Sequence, residues 1–218
     1  MLRSLSILVF VFSLPLRSLA IIETDSIVTS WFPRLAEKMR LKTPELGVGE
    51  YEVRIWKKCQ LCFGEAHELY LLEKHTNKFT VTKFNIRSNK RGFRSFTQIK
   101  PLKPIPDSLW TELIQQDMLT PPDHATIDRQ LHPLSPKDST YTSIEPDGSV
   151  SIHAKRQEVS VWISDGESYH VDVFEQGTYK RCEYHNPADY LRVKPKVREL
   201  QKFVAILDKL NDLFQPAN

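Results

Sequence analysis

Four short segments in the C-terminal half, 150–154, 159–163, 169–173 and 179–184, each alternate apolar with polar residues. That period of two puts successive side chains on opposite faces of a strand. The connections between them, Lys155-Arg156-Gln157, Asp165-Gly166-Glu167 and Gln176-Gly177-Thr178, are far too short for a parallel crossover, which takes a dozen or more residues. The chain must therefore return antiparallel, which excludes a doubly wound parallel architecture and predicts a four-stranded meander. A helix follows, opened by Pro195, with Val197, Leu200, Phe203, Leu207, Leu210 and Phe214 on one stripe that suits the apolar face of the meander.

The N-terminal half carries a different mixture. Ile27, Trp31, Leu35 and Met39 are four apart, which predicts a helix from about Phe32, because Pro33 fits only near a helix start. Tyr51, Val53 and Ile55 alternate with Glu50, Glu52 and Arg54 as a half-buried strand does, and 68–73 forms a second strand. The segments 79–87 and 93–99, joined by Ser88-Asn89-Lys90-Arg91-Gly92, predict a β-hairpin. After it, Asp107 or Ser108 can cap a helix bearing Leu109, Trp110, Leu113, Ile114 and Met118, which Pro121-Pro122 stops. Five prolines across 121–147 mark that stretch as a long loop between an N-terminal part, 21–120, and a C-terminal part, 148–218. The expected class is α+β: antiparallel sheet packed by at least three helices, in a single domain spanning 21–218. Only 7 glycines among 218 residues, with no internal period, exclude collagen-like and repeat architectures.

At the N-terminus Arg3 precedes an apolar run from Leu5 to Leu16, and Ser18-Leu19-Ala20 offers small residues where a signal peptidase cuts. Residues 1–20 read as a cleaved signal peptide, since the run falls short of the ~20 residues a spanning helix needs. The mature chain is expected to be exported, periplasmic or secreted, with no transmembrane span after cleavage.

Loss of Arg3 and Arg17 takes the 30 Lys and Arg to 28, against 27 Asp and Glu, a net charge of only +1. The charge is unevenly placed. From Lys74 to Pro106 there are nine basic residues and no acidic one, so the rest of the mature chain carries −8. Such asymmetry gives a local positive field on a nearly neutral protein.

The run Asp165-Gly166-Glu167-Ser168-Tyr169-His170-Val171, then Tyr184-His185-Asn186-Pro187, then the helix ending at Phe214, resembles the C-terminal third of small exported proteins of unknown function from Gram-negative bacteria. The resemblance covers about fifty residues. It implies export and an α+β fold, and it implies no catalytic residue.

Three groups of residues are candidates for function. Cys59 and Cys62 form a CxxC, and Cys182 with His185 a CxxH, the ligand types of a structural Cys3His zinc site. An oxidising compartment favours a plain disulfide, Cys59 with Cys62, over zinc or a redox-active pair. The second group lies on the polar face of the meander, where alternation sets His153, Trp162, His170, Asp172 and Phe174 opposite the core. His153, His170 and Asp172 would be the catalytic residues of a small hydrolase if they converged, and otherwise an ordinary solvated face. His67-Glu68 lacks the second His of HExxH, and neither a GxSxG elbow nor a glycine-rich phosphate loop occurs, so no cofactor is called for.

The third group is the basic hairpin, where Phe79, Phe84, Phe93 and Phe96 interleave with Lys83, Arg87, Lys90, Arg91 and Arg94. Those cations suit an anionic glycan, a lipid head group or an acidic protein, and an exported chain disfavours nucleic acid. The bland alternative is a core of phenylalanines with a charged edge that discourages aggregation. Together these features favour a non-catalytic binding protein over an enzyme.

Overall fold

The computed structural model describes residues 31–59, 66–89, 92–132, 140–154, 162–164 and 166–216. The segments 1–20, 60–65 with Cys62, Lys90, Arg91, and 155–161 lie outside that set, and with them the expected signal peptide and the 159–163 strand up to Val161.

The class is α+β, as the sequence predicts. Helix α1 (Trp31–Lys38) leads into strands β1 (Tyr51–Cys59), β2 (Ala66–His75), β3 (Lys78–Asn89) and β4 (Gly92–Ile99). Helices α2 (Leu109–Gln115) and α3 (His124–Leu131) follow, then β5 (Thr140–Ile144), β6 (Val150–Ala154), β7 (Glu167–Glu175) and β8 (Thr178–His185), and finally α4 (Pro187–Val193) and α5 (Arg198–Asp212). Six strands form one antiparallel sheet in the order β4-β3-β2-β1-β7-β8, and β5 and β6 form a separate ribbon.

This order corrects the four-stranded meander. Only β7 and β8 join as expected. The segment 150–154 pairs with 140–144, and β7 finds its other neighbour in β1, with Trp56 opposite His170 and Arg54 opposite Asp172. The stretch 121–147 is also no plain loop. It holds α3, whose Asp123 accepts the Thr126 backbone N–H at 2.6 Å as an N-cap, and β5. Pro195 does not open α5, which starts at Arg198; Pro187 instead opens α4, a helix the sequence reading lacked.

Alternation along the central strands feeds two cores. Val53, Ile55, Tyr70, Leu72, Val171, Val173 and Cys182 turn towards one face, where α2 to α5 cover them with Leu113, Ile127, Tyr190, Leu200, Phe203 and Leu210. Trp56, Leu69, Leu71, Phe84 and Ile86 turn towards the other, under Phe32, Leu35 and Ala36 of α1 and Met39 just after it. Both faces of β1 and β7 are therefore closed, unlike the one-sided strands that the alternation suggested. Among the described residues no helix is long and apolar enough to cross a membrane.

Candidate functional site

A sheet covered on both sides forces its polar residues into the interior, and they must be paired there. On the α1 side of β7 this produces a cluster centred on His170 and Asp172. His170 is only 1% exposed, and Phe32 stacks on its ring with centroids 4.7 Å apart. Its Nε2 lies 3.1 Å from Asp172 Oδ1 and its Nδ1 3.1 Å from Glu183 Oε1. Asp172 accepts three further bonds: from Tyr179 Oη–H at 2.5 Å, Arg181 Nε–H at 3.0 Å and Trp56 Nε1–H at 3.2 Å. Glu183 continues towards the surface, 4.0 Å from His185 Nε2, and the His185 ring stands edge-on to His124 at 5.6 Å.

The electrostatics follow from those contacts. Burial alone would lower the His170 imidazole, but its bonds to Asp172 and Glu183 outweigh burial and hold it above the ordinary value of 6.5. Burial would likewise raise Asp172; the His170 bond, the charges of His170 and Arg181 and the Tyr179 bond reverse that and hold the carboxyl at about 2. The hydrogen bond from His170 also lowers Glu183. His170 is thus clasped by two carboxylates, which favour its protonated form. Both of its nitrogens are occupied, so it offers a substrate neither a free base nor an uncommitted proton donor. Next to it, Arg54 pairs with Glu52 at 2.6 Å, donates to Lys42 O and lies over the Phe174 ring. The chemistry this arrangement can perform is cohesion: it ties β1, β7, β8 and α1 together.

The expected site residues distribute as follows. His170 and Asp172 meet, on the face that alternation assigned to them. The backbone of His153 lies in β6 of the ribbon, opposite Tyr141, and so is no part of the sheet that carries the other two. Trp162 lies outside the sheet too, exposed and stacked on His132 at 3.9 Å. Glu183 is the member that sequence reasoning missed. The tight turn at Gln176-Gly177 pairs Glu175 with Thr178, and counting back from it sets His170 opposite Glu183 and Asp172 opposite Arg181. That register was available from the sequence. Trp56 was not, because the β1–β7 pairing is long-range.

The cysteines do not assemble the zinc set. Cys182 and His185 sit three residues apart on β8, which turns them to opposite faces of the strand, and Cys182 is a free thiol in the core. Cys59, the last residue of β1, is disulfide-bonded. Its expected partner Cys62 lies outside the described residues, so no complete disulfide falls among them. No group of three or more metal-ligating side chains converges among the described residues. Burial pushes the Cys182 thiol up to about 12.

The basic hairpin is β3 with β4, and among the described residues β4 is an edge of the sheet whose side chains are almost all exposed. Lys83 is neutralised by Glu68 at 3.0 Å and lies over the Tyr70 ring. Arg87 and Arg94 are exposed, and among the described residues neither has a carboxylate partner. Phe84 belongs to the α1-side core and Phe79 packs against the other, as the bland alternative expects; Phe96, at 41% exposure, does not. Comparison with known proteins adds nothing to these observations, since no family model, curated protein or solved structure matches the chain.

Proposed function

We propose that the protein is an exported, non-catalytic binding protein that takes an anionic partner on the β3–β4 hairpin. The observation that carries this is a sheet edge among the described residues, in an acid-free stretch, with Arg87 and Arg94 exposed and unpaired by any described carboxylate. Cations already neutralised by neighbours contribute little to a partner; uncommitted ones set a long-range attraction and its salt dependence. On the same edge strand the half-exposed Phe96, packed against Phe84 and Phe93, offers an apolar contact for a sugar ring or an acyl-chain base. The signal-like residues 1–20 and the resemblance to exported proteins support the compartment, and the occupied nitrogens of His170 give a hydrolase no base.

Heparin retention and co-sedimentation with phosphatidylglycerol vesicles, each over a NaCl series, test the proposal on the chain beginning at Ile21. The wild type should be retained at low salt and released as salt rises. Arg87→Ser with Arg94→Ser should lower the salt needed for release while leaving the thermal midpoint unchanged. Release of the double variant at the wild-type salt concentration would remove the hairpin as the site.

A further inference from the structure

On the sheet face away from α1, helix α5, the turn after α2 and the sheet border a small cleft of about 90 Å3, partly open to solvent. Met118 and Phe203 are among the apolar groups that line it, and Lys202, ion-paired to Asp117, ties α5 to the turn at its side. Two groups on the first turn of α5 are left over. Glu199 Oε2 is buried with no hydrogen-bond partner among the described residues, and its neighbour Arg198 is exposed with no acceptor among them. A buried carboxylate oxygen without a donor is costly, and the cleft is where a donor can come from.

We propose that this cleft binds a small zwitterion, a free α-amino acid with an apolar side chain. Its ammonium group donates to Glu199, its carboxylate meets Arg198, and its side chain lies on Met118 and Phe203. A ligand with only an anionic group would face the unpaired Glu199 carboxylate, and one with only a cationic group would leave Arg198 unanswered. A molecule carrying both charges beside an apolar group answers all three surfaces. The site shares no residue with the hairpin and stands or falls separately from it.

Isothermal titration of the oxidised chain with L-leucine and L-phenylalanine, then with N-acetyl-L-leucine and L-leucinamide, tests each feature in turn. The free amino acids should bind saturably in the millimolar range or tighter, and each blocked analogue should bind about ten- to a hundred-fold more weakly, as loss of one charged hydrogen bond implies. Glu199→Gln should weaken L-leucine by a similar factor, and Arg198→Ser, at an exposed position, by a smaller one. Absence of saturable binding by either amino acid would overturn the proposal, as would equal binding of N-acetyl-L-leucine or an unchanged affinity in Glu199→Gln. Should Glu199→Gln fail to fold, the analogue series on the wild type decides alone.

Discussion

Asp172→Asn is the sharpest single test of the buried cluster. Asp172 takes bonds from His170, Tyr179, Arg181 and Trp56, and the asparagine keeps the shape but surrenders the charge and part of the accepting capacity. A carboxyl held at about 2 instead of 3.8 contributes about 2 kcal/mol at neutral pH. Breaking a buried pair from one side costs about 3–5 kcal/mol, because the remaining charge is stranded. Arg181 is partly exposed and can turn to water, so about 3 kcal/mol is expected. The pH dependence supplies an independent check. The raised imidazole of His170 contributes fully below 6.5 and is lost as pH climbs through its folded value; the depressed Asp172 contributes fully above 3.8 and is lost as pH falls towards 2. Wild-type stability should therefore be greatest between those limits. Urea unfolding followed by circular dichroism, with the disulfide intact, should show the variant weaker by about 3 kcal/mol near pH 5.5, and the wild-type decline towards pH 9 should be smaller in the variant. A loss under about 1 kcal/mol, the size of an ordinary surface change, or identical pH profiles would refute the preference of His170 for its protonated form.

Two further outcomes follow from single residues. Gly166 sits at φ +149°, and a Cβ there would fall 2.1 Å from Asn186 Oδ1, so Gly166→Ala should destabilise by about 2 kcal/mol or more, read as a lower thermal midpoint; an unchanged midpoint would mean the Asn186 side chain swings away freely. Cys182, buried with its thiol pushed up to about 12, should resist Ellman's reagent in the native chain and react as one thiol per molecule once unfolded. Native reactivity at neutral pH would show that the α3 to α5 layer opens.

What could be read in advance divides along the reach of each interaction. The strands β1, β3, β7 and β8, the core stripe of α5 and the residues that fill α2 are local patterns, and the sequence displays them; the expected cap of α2 is not made, since Ser108 stands at the N-cap position without a side-chain cap bond and its Oγ–H donates to Glu112 instead. The choice of neighbour is not local. Nothing around Ile55 says that it will lie beside Val171, and without that pairing β7 looked like the middle of a C-terminal meander. The same omission made His170 and Asp172 look solvated, when β1 brings Trp56 and α1 brings Phe32 to bury them. The prolines of 121–147 hid α3, although Asp123 as a cap and Ile127 and Leu131 four apart were a helix signature. Among the cysteines, strand geometry overrode spacing: a CxxH on continuous β structure cannot close on one ion.

The position of β1 sets the order in which the sheet can close. The pairs β1–β2, β2–β3 and β3–β4 join neighbours in sequence, whereas the β1–β7 seam joins Trp56 to Asp172 across 116 residues. Closing so long a loop carries the largest chain-entropy cost in the sheet and comes after the local hairpins. Until then β1 is itself an open edge, and the Trp56 indole has no Asp172 to bond. A newly made chain therefore passes through a stage in which its future centre is its stickiest margin, and arrival of the β7–β8 hairpin ends that exposure.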